Sequence, residues 1–387
     1  MEENPLKDAP PSYALRPDVE GFSCNLPMLA IRALGAGGGS IAEVVNGVLS
    51  VGPLSAGALP GPACFGLGGK RATVTDANLV LGWLDPEYFL GGNKKLDSEK
   101  ARLAIETDVA APLGISIEEA AWLIKHTVEE DVGRELRQLR KDMGSHPEPM
   151  LVVYGGAGPL HSCAIAQASD ISKLVVTPFS AVFSAYSSSL MDVGHLYYQR
   201  LDIQLREQGD FTTVDTAVMA LCGRAEVDMR GEGFTSESIV WGLEVIIRSE
   251  KGREAKLAVP IDFYKSSSGV ESVIEKATTV LALEKTDMVL LCTLGVFAKA
   301  QVAHYLPRQV VVAETQVQDA IRSQRQVKLD RTGHPVALNV YDRGLLGNGH
   351  QVYGPTIVES SQTTIVIPEG WSLRVDHYDN ALIERIT

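Results

Sequence analysis

The sequence predicts an α/β fold that gives way to an all-β tail, on three observations. The apolar run "MLVVY" (150–154), a glycine-rich turn, a small-residue helix to about residue 168 and the run "KLVVTP" (173–178) follow in β-turn-α-β order. That order implies a parallel strand pair. Residues 116–143 carry Ile117, Ala121, Ile124, Val128, Leu136 and Leu139 at helical spacing. From about residue 325, runs such as "VALNVY", "PTIVES", "TTIVIP" and "WSLRVDHY" alternate with Gly, Pro and Asn turns. The expected divisions are a loose arm at 1–20, an α/β domain at 21–324 and a small all-β C-terminal domain at 325–387.

Each element has a local cause. Residues 1–20 are polar and proline-rich, with little to bury. "MLAIRALGAGGGSIAEVVNGVLSVGP" (28–53) reads as a strand, a glycine run and a hairpin closed by Asn46-Gly47, because a type I′ turn needs positive φ at both positions. Glycines and prolines in 55–82 prevent a long element until "VTDANLVLG", where Asp76 is expected to cap a short helix at 77–84. Ser116 and Glu119 form a capping box for the long helix. That helix should stop by "GSHPEP", at Gly144 and two prolines. Beyond a Ser/Ala-rich stretch at 180–192, "YYQRLDIQL" and "VWGLEVIIR" read as strands flanking a helix at about 212–230. "AKLAVPID" adds a strand and 270–284 a helix.

Composition narrows the function. The 387 residues are 45% hydrophobic and 21% charged, an ordinary globular balance with room for two or three domains. A net charge of −13 without a basic patch argues against nucleic acid and anionic membrane as partners. "RELRQLRK" (134–141) contains Glu135 and reads as a solvated helix face. The longest apolar run, "MVLLCTLGVFA", is too short to span a bilayer, and the acidic, proline-rich start is no signal peptide. Five cysteines, far apart and never in a CxxC pair, suit a reducing, cytoplasmic compartment rather than a disulfide or zinc framework.

Two glycine-rich loops carry the chemical signal. In "VVYGGAGPLHSCAIA" (152–166), Gly155, Gly156 and Gly158 lie between a strand and a helix, but His161 stands where a dinucleotide fingerprint has its third glycine. No P-loop Lys-Ser/Thr follows. What remains is bare backbone N–H groups at a helix start, open to an anion, to a flat ring, or to no ligand at all. In "GAGGGS", Gly35, Gly37, Gly38 and Gly39 precede Ser40 and a hairpin, not a helix. A ligand or close packing must offset the cost of ordering them. His161 in the first turn of a helix is expected to be neutral. Asp76 and Asn78 in "TDAN" can bind a polar ligand, although helix capping explains Asp76 equally well. No Ser-His-Asp order, HExxH or metal cluster emerges, and the catalytic residues stay unassigned.

Together, "LGAGGGSIA" (34–42), "VGPLSAGALPGPACFGLGGKRATVTDANLVLGWLDPEYFLGG" (51–92), "YGGAGPLHSCAIA" (154–166) and "PEGWSLRVDHYDNALIER" (368–385) resemble the hydantoinase A/oxoprolinase family. The resemblance implies a partial actin-like/ribonuclease H-like ATPase lobe. It implies ATP with Mg2+ as cofactor and opening of a small cyclic amide such as a hydantoin or 5-oxoproline. The partner would be a hydantoinase B-like subunit, and a homo-oligomer is left open. ATP-dependent carboxylation of a ketone, or a non-catalytic scaffold role, are the alternatives. By the same resemblance Gly155, Gly156 and Gly158, with His161, lie against the adenosine end of ATP, while Gly35 to Ser40, Asp76 and Asn78 line or brace that cleft. Family members also carry Asp-Gly-Gly-Thr and Gly-Gly-Thr-Ser-Thr-Asp phosphate loops, yet no "GGT" occurs here. Where the family often has Asp-x-His, this chain has Ala30-Ile31-Arg32. The chain is therefore expected to be the C-terminal portion of such a subunit, as a fragment, a split-gene product or a degenerate relative.

Overall fold

A computed structural model of the chain describes residues 33–143, 148–206, 211–284, 286–332 and 334–386, with the two-residue segments Tyr13–Ala14, Asp18–Val19, Phe22–Ser23 and Met28–Leu29. Most of the expected arm at 1–20, the rest of the strand at 28–32 and the expected helix stop at 144–147 lie outside the described residues. The chain divides into two compact units. One joins Ala33–Ser189 to Leu306–Thr387, and the other contains Leu190–Tyr305.

The first unit opens with the hairpin of β1 (Ser40–Val45) and β2 (Val48–Ser55). It turns on Asn46 (φ 52°) and Gly47 (φ 77°), as the Asn-Gly pair predicts. The short helix α1 spans Val74–Val80, and its cap is Thr73, not Asp76. Asp76 sits three residues on and closes a reciprocal capping box with Thr73. Helix α2 (Ser98–Ile105) is capped by Asp97. The long helix α3 (Ile117–Met143) starts as expected, with Ser116 Oγ accepting the Glu119 N–H at 3.1 Å. The Glu119 carboxylate, however, pairs with Arg331 at 2.7 Å. Ala120, Ala121, Ile124 and Val128 turn into a core shared with Ala77 and Leu81.

After α3, β3 (Met150–Val153) leads into α4 (Gly158–Ala168) and then β4 (Lys173–Val176). Strands β3 and β4 are parallel neighbours, the predicted crossover unit. A side chain at Gly133 of α3 would overlap Ala168, so this glycine lets α3 lie close against the end of α4. Backbone approach is thus supplied from a neighbouring helix rather than by a third glycine in the turn.

The second unit is an antiparallel sheet with two helices. It comprises β5 (Val193–Gln204), α5 (Thr212–Gly231), β6 (Ile239–Ser249), β7 (Glu254–Val259), α6 (Ser267–Val280) and β8 (Val289–Ala300), in sheet order β7-β6-β8-β5. Val214 and Leu221 of α5 and Val273 and Ala277 of α6 share a core with Val245 and Leu291.

The tail is all strand, as expected: β9 (Ile321–Lys328), β10 (Pro335–Asp342), β11 (Gln351–Tyr353), β12 (Thr356–Glu359), β13 (Thr364–Ile367), β14 (Trp371–Val375) and β15 (Ala381–Arg385). The expected boundary at 324/325 falls inside β9. Strand β15 pairs with β4, which builds one five-stranded sheet, β11-β14-β15-β4-β3. Trp371 and Ile383 share a core with Leu174. An unpaired edge on β4 would expose a row of backbone polar groups, and the tail supplies its ladder.

Candidate functional site

The two glycine runs, far apart in sequence, meet in the first unit. A β-carbon on Gly38 would stand 3.6 Å from Ala157 Cβ and only 2.8 Å from Thr75 Oγ1. The carbonyl of Gly38 accepts from both the N–H and the hydroxyl of Thr75, at 2.9 and 2.8 Å. Ser40 ties the run to itself: its Oγ accepts the Gly37 N–H at 2.9 Å and donates to the Gly35 carbonyl at 3.2 Å. Gly35 has φ 57° and lies against Pro53, and a β-carbon on Gly39 would meet Ser55 Oγ at 2.9 Å. Close packing therefore explains Gly35, Gly38 and Gly39, whereas Gly37 faces open space.

The second run forms the turn before α4. Gly155 (φ 91°) donates its N–H to the Ser180 carbonyl at 2.6 Å, and the Gly156 carbonyl accepts from Thr363 Oγ1 at 2.9 Å. Gly158 opens α4 next to Ala157, whose cap position offers no side chain to the helix N–H groups. A cavity of about 190 Å³ lies here. Gly156 and Ala157 form one side, Thr75 and Asn78 another, Tyr88 and Phe89 an aromatic wall, and the turn 360–364 the last. The Arg322 guanidinium stacks 3.7 Å above the Tyr88 ring and pairs with Glu359, which stiffens that wall.

Of the predicted site residues, Gly156 and Asn78 line the cavity. Asp76 does not. Its buried carboxylate accepts from the N–H groups of Ala63, Cys64 and Thr73 and from the Thr73 hydroxyl, at 2.7 to 3.2 Å. Both oxygens are occupied by the protein. His161 lies one step behind the wall. Asn78 Nδ2 donates to its Nε2 at 3.0 Å, so Nδ1 carries the proton and donates to Glu129 Oε1 at 2.9 Å. The other Glu129 oxygen takes Lys125 Nζ at 2.7 Å. All four side chains are buried. Burial raises the Glu129 carboxyl, but the His161 hydrogen bond and the Lys125 charge outweigh it and hold it below the usual carboxylate range. This chain of partners fixes the orientation and tautomer of the imidazole.

The chain Lys125–Glu129–His161–Asn78 was not legible in the sequence beyond His161 and Asn78. Lys125 and Glu129 stand four apart on a helix that otherwise carries many charges, a pattern shared with any solvated face. Thr75, Tyr88, Phe89 and the turn "SSQTT" gave no signal of their own.

The lining decides what can bind. Asp85 and Glu359 are its charged members, it contains no Lys or Arg, and both acids are engaged by Arg325, at 2.9 and 3.0 Å. Among the described residues no group of three or more His, Cys, Asp or Glu is placed to hold a metal ion. Covalent thiol chemistry has no support either. Burial, with Asp76 adding to it, pushes the Cys64 thiol far up, and burial pushes Cys163 up to about 12. No helix among the described residues is long and apolar enough to cross a membrane.

Comparisons with known proteins give the family and the fold. The family profile described as Hydantoinase/oxoprolinase matches residues 5–196, and the Hydantoinase/oxoprolinase C-terminal domain matches 292–383. The gamma subunit of acetophenone carboxylase from Aromatoleum aromaticum is 32% identical over 97% of this chain and 53% of its own length. Among solved structures, a nucleotide-free acetone carboxylase superposes with a TM-score of 0.82 at 22% identity, over 97% of this chain and 55% of its own. The ATP-dependent caprolactamase from Pseudomonas jessenii superposes with a TM-score of 0.78 at 27% identity, over 96% and 55%. These likenesses bear out the expected fold class, a partial actin-like ATPase lobe followed by a β-rich tail. The chain spans about half the length of the curated relatives it matches, 53% for the acetophenone carboxylase subunit.

Proposed function

Because the chain belongs to the hydantoinase/oxoprolinase family, we propose that it is the adenosine-holding part of a subunit for ATP-dependent opening of small cyclic amides. The observation that carries this is the cavity beside Gly156, apolar on its aromatic side and without a basic residue. ATP would supply the phosphoryl group that activates the amide oxygen. This chain's residues would bind and orient. Gly156 and Ala157 let a ring approach the backbone, Tyr88 and Phe89 flank it, and Thr75 couples the wall to the Gly35–Ser40 run. Gly155 and Gly158 set the turn, and His161 holds Asn78. Gly35, Gly37, Gly38, Gly39, Ser40 and Asp76 brace the cleft from behind.

The phosphates and Mg2+ would be held by a first lobe carrying the Asp-Gly-Gly-Thr loops, and the substrate by a hydantoinase B-like partner. A second reading, ATP-dependent ketone carboxylation, is supported equally by the acetophenone and acetone carboxylase relatives. Reconstitution with a first-lobe chain and a hydantoinase B-like chain tests both. ATP-dependent loss of a hydantoin, 5-oxoproline or a lactam supports ring opening. ATP hydrolysis that requires bicarbonate and a ketone supports carboxylation. Absence of both activities counts for a scaffold role.

A further inference from the structure

One residue lining the cavity carries a group that the protein leaves unanswered. Asn78 is 2% exposed, and its Oδ1 has no hydrogen-bond partner among the described residues. A buried amide oxygen without a donor is costly, and native structures seldom keep one without a use. The cause lies in the chain behind it. Lys125 fixes Glu129, Glu129 takes the proton on His161 Nδ1, and His161 Nε2 therefore accepts from Asn78 Nδ2. Backbone contacts hold the same residue from the other side, since the Asn78 carbonyl accepts the Trp83 N–H at 2.9 Å. With its nitrogen committed, the amide cannot turn over, and the oxygen is left as the unpartnered acceptor of a residue that lines the cavity.

We propose that Asn78 is the specificity-determining residue of this cavity, a fixed acceptor that selects planar ligands bearing an amino donor, the 6-amino group of an aminopurine. The inference rests on the adenosine reading above. His161 is a positioning residue: it acts on the ligand through Asn78, and Glu129 and Lys125 act through His161. A ring without the amino group leaves Oδ1 buried and unanswered, so it binds more weakly even though it fills the same space. Stacking on Tyr88 and Phe89 is indifferent to that change, which separates recognition from mere filling.

The test is binding to the whole chain, measured by saturation-transfer NMR with adenosine and with purine riboside, which lacks the amine. The expected result is adenosine tighter by about tenfold or more. Asn78→Ala should weaken adenosine and leave purine riboside unchanged, because the orphan acceptor is gone. His161→Ala should also collapse the preference, by freeing the amide to rotate. A general loss of structure would weaken both ligands alike, so the ratio, not the affinity, is the readout. The wild-type ratio alone suffices should the variants fail to fold. Equal binding of the two ligands overturns the role of Asn78 and leaves the adenosine reading intact. Binding of neither overturns that reading, and this inference with it.

Discussion

His161 Nδ1 lies 2.9 Å from Glu129 Oε1, and both side chains are buried inside the first unit. The pair ties α3 to α4 behind the cavity wall. Glu129 belongs to α3, packed at the back with Lys125, and His161 belongs to α4, whose first turn forms the cavity wall. A carboxylate there is tolerated because a cation and a neutral N–H donor share it.

Removing one partner should cost more than removing two. Glu129→Gln leaves Lys125 buried and uncompensated, and should lower stability by about 3–5 kcal/mol. The double change Lys125→Met, Glu129→Gln should recover a large part of that loss. Urea denaturation of the two variants checks this. Equal stability of Glu129→Gln and the parent would show the chain to be idle.

Acid should expose a second carboxylate. Burial tends to raise the Glu118 carboxyl. Its backbone N–H environment and the hydrogen bonds from Lys328 and Arg102 prevail, and hold it at about 2. The folded value lies below the unfolded one of about 4.3, so its contribution to stability is present above that pH and fades as pH falls towards 2. Glu118→Gln should therefore be less stable than the parent at pH 7, with the gap closing as pH falls from about 5 to about 2. Urea midpoints at three pH values in that range provide the measurement. A constant gap would contradict the assignment.

The glycine run offers a paired comparison. Gly37→Ala should be neutral within about 0.5 kcal/mol, since nothing stands within 4 Å of the new carbon. Gly38→Ala should push the Thr75 hydroxyl away and weaken adenosine binding together with stability. Thermal melts and ligand titrations on both variants decide it, and equal behaviour would count against close packing.

Gly133→Val should cost about 1–3 kcal/mol through overpacking against Ala168. A melting temperature equal to the parent's would mean that α3 can shift away from α4 at little cost.

Much of the fold was legible because local rules and burial agreed. The Asn46-Gly47 turn, the β3-α4-β4 crossover and the strands of the tail follow from turn chemistry and apolar periodicity. The cap of α1 was misplaced by three residues because Asp76 suits either end of a capping box, and only tertiary donors from Ala63 and Cys64 fix its role. The pairing of β4 with β15 was not legible, since it joins strands about two hundred residues apart in the chain, beyond any local pattern. The site was half legible. Glycines mark where a backbone must come close, but not what approaches it: another element at Gly38 and Gly39, a cavity at Gly156. The aromatic wall and the Lys125–Glu129 support depend on which helices face one another.

In the proposed function this chain holds adenosine and leaves the phosphates to another lobe. Titrating the whole chain with adenosine and with ATP–Mg2+, at low and high salt, tests it most directly. Affinities within about tenfold of each other, with little salt dependence, are the expected result. ATP binding tighter than adenosine by about a hundredfold or more, and weakened by salt, would contradict it.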